Sequence, residues 1–293
     1  MTGPIEVPRI GAVFRPERRP EDLPGFVELA EAVGLDDVWL WEDCFREGGL
    51  TSAAAALAWT SSLRVGVGLM PAPLRSPALA AMEIARLARL FTGRFVPACG
   101  HGVLSWMEQV GVRADSPLTL LREWAGAVRE LLHGRNVTVS GHYVRLDHVA
   151  LDWPPAAAPP LLIGARGPKT LALAGEVADG LVLDAGISPD GVRAAVRTAA
   201  AQRPHEVVVY LLCGAGEDGL SRATAELAFS PWRQQGSVAG GSPDDVARLI
   251  RGYAHAGATT VVLQPAGDDP DAAAMLRLAG AARTLLRTGV SPA

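Results

Sequence analysis

The chain has 293 residues, a formal net charge of −4 and 49% hydrophobic residues, which is enough to build a large core. No long run of lysine or arginine occurs, so we expect neither nucleic-acid binding nor a polybasic membrane patch. The apolar run at 53–59 is shorter than a membrane span, and the first residues lack a signal-peptide pattern. These features predict a cytoplasmic protein whose partners are small molecules.

Short apolar segments alternate with segments of helical periodicity along the chain. The segments predicted as strands are 9–14, 36–41, 63–69, 94–99, 160–165, 180–185, 206–213 and 259–265. The predicted helices between them are 21–34, 78–91, 118–134, 170–178, 191–201, 242–257 and 271–287. Because the strands are apolar on both faces, they indicate a parallel sheet covered by helices. The eight units predict a single (β/α)8 barrel domain over residues 1–293.

An open, doubly wound sheet also alternates strands and helices, but it requires a phosphate-binding turn after its first strand. This chain has FRPERRPED at that point, which favours the barrel. Two segments interrupt the alternation: 136–155 reads as a hairpin that turns at Ser140 and Gly141, and 214–241 is rich in Gly, Ser and Gln. Both are candidates for a lid or an extra wall at the barrel mouth, and a surface insertion is the alternative for each.

Several common motifs are absent or poorly placed. Residues 214–219, GAGEDG, match the G-x-G-x-x-G dinucleotide fingerprint, but Glu217 and Asp218 would face the pyrophosphate. No metalloprotease, Walker A or nucleophile-elbow motif occurs. The three cysteines, Cys44, Cys99 and Cys213, are odd in number and widely spaced, which argues against a disulfide framework and a zinc site. We therefore expect a reducing compartment and no metal.

Residues suited to chemistry follow the second, third and fourth predicted strands. After the second strand, Glu42 and Asp43 lie between aromatic residues, which raise a carboxyl pKa and favour a proton donor or acceptor; helix capping is the alternative. After the third, residues 68–77 contain three prolines, which a regular strand does not tolerate. After the fourth, two glycines flank His101 and allow either close ligand approach or a tight turn.

Lys169, the only lysine in the chain, stands at the predicted start of the helix after the fifth strand. The helix dipole makes a cation mildly unfavourable there. One interpretation is a solvated lysine without a role. The other is an anion held by the backbone N–H groups of Gly167, Lys169 and Thr170.

Four stretches resemble the bacterial luciferase-like family of (β/α)8 flavin and deazaflavin enzymes. They are GLDDVWLWED (34–43), the block 63–102 from LRVGVGL to CGHG, PPLLIGARGPKTLALAGEVADGLVL (159–183) and SPDDVARLIRGYAHAGATTVVLQP (242–265). The block 63–102 is the most specific of them. Within the family, the chain is most similar to oxidoreductases that use coenzyme F420, and FMN is the alternative cofactor.

The resemblance implies a cofactor site at the C-terminal mouth of the barrel. It implies a non-prolyl cis peptide between Gly68 and Leu69, in a third-strand bulge that supports the cofactor ring, with Gly68, Leu69 and Met70 as cofactor-binding residues. It implies that the fourth-strand glycines lie near the cofactor side chain, at Gly100, His101 and Gly102. It also implies that the backbone of the fifth-strand loop binds the cofactor phosphate, at Ala165, Arg166, Gly167, Pro168 and Lys169.

The chain also departs from the family pattern. Many relatives have Asp-His where this chain has Glu42 and Asp43, and we expect these carboxyls to supply acid or base catalysis. Some sugar-phosphate dehydrogenase relatives carry a glutamate where this chain has Val103, which argues against that activity. Candidate walls of an apolar substrate pocket are Trp41, Phe45, Trp106 and Trp232.

Together these features predict an oxidoreductase that passes hydride between F420 and a small organic substrate. An FMN-dependent monooxygenase is the first alternative. A barrel that binds a flavin or deazaflavin without turnover is an alternative of another class. A barrel lyase or isomerase is disfavoured, since no metal-ligand cluster follows the strands. Because relatives are often dimers, the resemblance implies a homodimer.

Overall fold

The computed structural model describes residues 7–201, 205–229, 236–267, 269 and 271–288. Its strands are β1 (Arg9–Phe14), β2 (Asp37–Leu40), β3 (Arg64–Pro71), β4 (Phe95–Gly100), β5 (Val137–Ser140), β6 (Arg145–Val149), β7 (Leu162–Gly164), β8 (Gly180–Leu183), β9 (Glu206–Gly214), β10 (Ala239–Gly240) and β11 (Thr260–Pro265). The predicted pocket residue Trp232 lies outside the described residues.

Within the described ranges, eight parallel strands close into a barrel in the order β1-β2-β3-β4-β7-β8-β9-β11. Each predicted strand corresponds to one of these, so the predicted (β/α)8 barrel is confirmed. The short β10 adds to the end of β9, and β5 and β6 form a separate antiparallel hairpin.

The helices are α1 (Leu23–Ala32), α2 (Gly49–Trp59), α3 (Pro77–Leu90), α4 (Leu104–Gln109), α5 (Pro117–Leu132), α6 (Pro168–Val177), α7 (Pro189–Ala199), α8 (Gly219–Leu227), α9 (Pro243–His255) and α10 (Ala272–Thr288). Three of them begin with a serine whose hydroxyl accepts a first-turn N–H and is followed by proline: Ser76, Ser188 and Ser242. None of the helices in the described ranges has the length and apolar character needed to cross a membrane.

The barrel interior is packed with side chains, as expected for this architecture. Trp39 and Tyr210 are its largest buried members, and their rings meet edge to face at 5.9 Å. Position 66 requires glycine because of Trp39, since a Cβ on residue 66 would lie 2.5 Å from the Trp39 indole. A second, larger core lies between the outside of the sheet and the helices.

The two segments that interrupt the alternation have different positions. The hairpin of β5 and β6 is fixed to α5, because the Glu123 carboxylate accepts the N–H groups of His142, Tyr143 and Val144 at 2.8–3.0 Å. After β9, the chain turns tightly into α8. A Cβ on Gly214 would lie only 1.8 Å from the carbonyl oxygen of Gly219, so close strand–helix packing explains these two glycines of GAGEDG.

Candidate functional site

A cavity of about 750 Å³ opens at the C-terminal mouth of the barrel. Its walls come from the ends of β2, β3, β4, β7, β8, β9 and β11 and from α8. The hairpin at 136–155 contributes no residue to these walls, so among the described residues only the second interrupting segment, through α8, reaches the mouth. The first segment is therefore a surface insertion.

The floor of the cavity is an irregular part of β3. The predicted cis peptide between Gly68 and Leu69 is present, and the register with β4 shifts between Val67 and Met70, as a bulge requires. The buried Tyr210 hydroxyl donates a hydrogen bond to the Gly68 carbonyl oxygen at 3.2 Å. Gly68 and Leu69 line the cavity. The prediction for Met70 is wrong, because its side chain is buried in the outer core instead.

The Leu69 side chain lies over two glycines of neighbouring strands. A Cβ on Gly164 would lie 2.1 Å from Leu69 Cδ1, and one on Gly100 would lie 2.8 Å from the same atom. Gly100, His101 and Gly102 all line the cavity, and Gly102 has a left-handed φ of 72°. These glycines leave room for Leu69 to form an apolar floor beneath the mouth.

The loop after β7 forms one end of the cavity. Ala165, Arg166, Gly167 and Thr170 line it, and a Cβ on Gly167 would meet no atom within 4 Å. The first backbone hydrogen bond of α6 runs from Leu171 N to Gly167 O at 3.0 Å, so the preceding N–H groups have no partner within the helix.

Two predicted residues of this loop do not line the cavity. Pro168 and Lys169 are exposed on the outer side of the helix start. Gly167 and Thr170, three residues apart, share the inward face of α6, and the intervening side chains point elsewhere. The loop therefore borders the cavity through Ala165, Arg166 and Gly167, and Lys169 is not part of the wall.

The two adjacent carboxylates at the end of β2 have different surroundings. Glu42 is buried and forms a bidentate ion pair with Arg75, and it also accepts the Gly49 N–H at 3.1 Å. Asp43 makes no side-chain hydrogen bond within the described ranges. Burial raises the pKa of Asp43, and the nearby Glu17 carboxylate raises it further. Glu42 therefore holds the end of β2, and Asp43 is the carboxyl suited to proton exchange.

The predicted aromatic walls are only partly present. Trp41 and Trp106 line the cavity. Phe45 does not, because it lies in the turn after β2 with 65% of its surface exposed, and the prediction for it is wrong. A second non-prolyl cis peptide joins Cys44 to Phe45.

A polar network that was not predicted from the sequence joins α8 to the barrel. The Glu226 carboxylate of α8 accepts hydrogen bonds from Arg15 at 2.7 Å, from Gln264 at 3.3 Å and from Gly267 N at 2.7 Å. The Arg15 guanidinium also lies 5.1 Å from the centre of the Trp41 ring. Glu226 and Gln264 line the cavity. The available signals were that Arg15 directly follows β1 and that Gln264 is the polar residue near the end of β11, whereas Glu226 belongs to no motif.

The residues present fit a flat ring cofactor that carries a phosphate. The apolar Leu69 floor lies between β4 and β7, and the open Gly167 and the helix start provide a cradle for an anion at one end. Among the described residues, no group of three His, Cys, Asp or Glu side chains is placed to hold a metal ion.

The fold and the site together have the architecture of a cofactor-binding barrel enzyme. The cavity lies at the C-terminal mouth of a (β/α)8 barrel, with a bulged third strand as its floor and a helix start at one end. The sequence profile of the family described as luciferase-like monooxygenase matches residues 8–219, so the chain belongs to this family. The predicted resemblance is confirmed.

Named relatives are oxidoreductases. The chain is 29% identical over 265 residues to a 5,10-methylenetetrahydromethanopterin reductase of Methanolobus tindarius, covering 90% of this chain and 76% of the relative. It is 30% identical over 223 residues to an F420-dependent glucose-6-phosphate dehydrogenase of Microbacterium testaceum (strain StLB037), covering 70% of this chain and 60% of the relative.

Solved structures share the fold. The coenzyme F420-dependent tetrahydromethanopterin reductase from Methanopyrus kandleri matches with a TM-score of 0.82 at 21% identity, over 94% of this chain and 98% of that one. An F420-dependent secondary alcohol dehydrogenase in complex with an F420–acetone adduct matches with a TM-score of 0.80 at 19% identity, over the same shares of the two chains.

Proposed function

We propose that the protein is an oxidoreductase that uses F420 to transfer hydride to or from a small organic substrate. The observation that carries the proposal is that the bulge at Gly68 and Leu69 and the start of α6 border one cavity. Named relatives that use F420 support the choice of cofactor. FMN also has a tricyclic ring and a phosphate, so it is the alternative cofactor that the test must separate.

The cofactor-binding residues follow from the two ends of the cavity. Leu69 would support the ring, and Gly100 and Gly102 would let the backbone approach the cofactor side chain. The N–H groups at the start of α6, with the Thr170 side chain on the cavity wall, would bind the phosphate. When bound, F420 supplies a ring carbon that gives or accepts a hydride.

Asp43 is the proposed acid or base. Its carboxyl lines the cavity, and its raised pKa keeps a proton available at a higher pH than for an ordinary aspartate. In the reducing direction, this proton would go to the substrate atom bonded to the carbon that accepts the hydride. Trp41 and Trp106 exclude water from the cavity, and the Glu42–Arg75 ion pair holds the strand end from which Asp43 projects.

We further propose that the protein works as a homodimer in the cytoplasm. The three cysteines are unpaired, which supports a reducing compartment. On the outer surface of α3, Leu79 and Met82 expose apolar side chains that support contact with a second copy. Light scattering of the purified protein would measure the oligomeric state, and a monomeric mass would contradict the dimer.

The catalytic proposal is tested by a donor–acceptor screen with F420, in which the absorbance of the oxidised cofactor is followed. The double variant Glu42→Gln, Asp43→Asn is compared with the unchanged protein. We expect turnover that the variant loses while it retains F420 affinity. Binding of F420 without turnover in any donor–acceptor pair would indicate a carrier, and turnover with FMN and oxygen alone would indicate a monooxygenase.

A further inference from the structure

The cavity has two halves that differ in charge. The phosphate half is formed by the adjacent strands β3, β4, β7 and β8, and its ionisable lining residues are His101, Arg166 and Asp184. The acidic half is formed by the ends of β2, β9 and β11 and by α8. Its ionisable and amide lining residues are Glu42, Asp43, Tyr210, Glu226 and Gln264. Among the described residues, no cationic side chain lines the acidic half.

Hydrogen-bond acceptors dominate the acidic half. The Gln264 side chain is nearly buried and donates to Glu226, so its amide oxygen is left as an acceptor. Glu226 Oε1 already accepts two hydrogen bonds, from Arg15 and Gln264, but within the described ranges Oε2 accepts only the Gly267 N–H and can accept one more. The Asp43 carboxylate has no hydrogen-bond donor within the described ranges. The Tyr210 hydroxyl donates to Gly68, away from any ligand.

Arg15 partly offsets the negative charge of this acidic wall. Its guanidinium lies behind the wall, where it binds Glu226 at 2.7 Å and Glu17 at 3.0 Å, and it is not part of the cavity lining. The arginine thus stabilises Glu226 from the protein side, while the cavity side of the carboxylate stays open to a ligand.

We propose that the acidic half binds the substrate and selects a neutral or cationic molecule that presents N–H donors, such as an amine, amide or amidine. Phosphate and carboxylate substrates are disfavoured, because they would face the Asp43 and Glu226 carboxylates, while Arg15 and Arg75 lie behind the cavity wall and do not line it. Apolar contacts with Trp41, Leu212 and Phe229 suit a flat or aromatic body attached to the donor group. This inference rests on the proposed function, because it assumes that the cofactor fills the phosphate half.

Three ring compounds of matched shape test the selection: benzamidine, benzamide and benzoate. Their dissociation constants are measured by titration calorimetry against the protein saturated with F420. We expect benzamidine to bind at least about tenfold more tightly than benzoate, with benzamide between them, since one charge contact readily contributes a factor of ten.

Two variants test whether Glu226 is responsible for the preference for benzamidine. Glu226→Gln should reduce the benzamidine-to-benzoate preference by about fivefold or more, since it removes a cavity charge while keeping the side-chain shape. Glu217→Gln is the matched control, because Glu217 is exposed just before α8 and does not line the cavity. It should leave the preference unchanged.

The outcomes separate this inference from the proposed function. If F420 binds but benzoate binds as tightly as benzamidine, or Glu226→Gln leaves the ratio unchanged, the substrate-class inference is wrong and the proposed function stands. A lack of benzamidine binding at millimolar concentration to the F420 complex also overturns the inference. If F420 itself does not bind, both the proposed function and this inference fall.

Discussion

Replacing Tyr210 by phenylalanine removes the hydrogen bond that supports the cavity floor. Tyr210 is buried, and its hydroxyl donates to the Gly68 carbonyl oxygen at 3.2 Å. The substitution leaves that carbonyl without its donor in a buried site, at a cost of about 1–3 kcal/mol. Because Gly68 and Leu69 form the floor of the cofactor site, we expect part of this cost to appear as weaker F420 binding, about tenfold in the dissociation constant.

Tyr253→Phe is a matched control for this variant. Tyr253 is also buried, and its hydroxyl donates to the Ile187 carbonyl oxygen at 2.6 Å, but neither residue lines the cavity. Both variants should lower the melting temperature by a few degrees, given about 2–4 °C per kcal/mol for chains of roughly this size. Only Tyr210→Phe should weaken F420 binding in a fluorescence titration. Equal F420 affinities in the two variants would refute the role assigned to the floor.

Four further predictions concern carboxylates or their ion-pair partners. Asp43→Asn should lower kcat by about 10²–10⁴-fold with F420 affinity retained, and Glu17→Gln should move the alkaline limb of the reductive pH profile to lower pH, because Glu17 helps to raise the Asp43 pKa. Despite opposing burial, hydrogen bonds from the loop before β3 lower the pKa of Glu31 from 4.5 to about 2. The ionised Glu31 carboxylate should therefore stabilise the fold fully above pH 4.5, and this contribution should be lost as the pH falls towards 2. The free energy of unfolding of Glu31→Gln should change less over that range. Arg75→Met should destabilise the fold by about 3–5 kcal/mol in urea unfolding, because it leaves the buried Glu42 charge unpaired.

An alkaline limb that does not move in Glu17→Gln would contradict the effect of Glu17 on the Asp43 pKa. An Asp43→Asn enzyme with unchanged kcat would remove that residue from the chemistry. Equal acid sensitivity of Glu31→Gln and the unchanged protein would contradict the low Glu31 pKa. For Arg75→Met the control is Arg248→Met, which breaks an exposed ion pair with Asp245 and should change stability little. Similar losses in the two arginine variants would contradict the importance of burial.

The barrel could be predicted from sequence because its strands are apolar on both faces. Strands of a parallel sheet that is covered by helices are buried on both faces, and they therefore read as continuous apolar runs. In this protein eight such strands close into a barrel. The helix α2 is not among the predicted helices, because its alanine-rich sequence carries no clear polar face. The helix α8 was missed because it lies in a segment that reads as an irregular insertion.

The parts of the site that are formed by the backbone were more predictable from the sequence than the parts that are formed by side chains. At positions 68, 100 and 102 a Cβ would lie within about 3 Å of a neighbouring side chain, and these glycines are visible directly in the sequence. The orientations of Met70, Phe45 and Lys169 depend on local register, which a bulge, a turn and a helix start each alter. The Arg15–Glu226 contact joins residues 211 positions apart, and no local pattern reports such a contact.

The most direct test of the account is a fluorescence titration with F420, and in parallel FMN, of three proteins: the unchanged chain, Gly167→Phe and Gly25→Phe. A side chain at Gly167 would project into the open end of the cavity, whereas Gly25 is exposed on α1 with equally open space around it. The account predicts tight F420 binding that Gly167→Phe loses and Gly25→Phe retains. Absence of F420 binding to the unchanged chain, or equal binding by all three proteins, would contradict the assignment of the cofactor to this cavity.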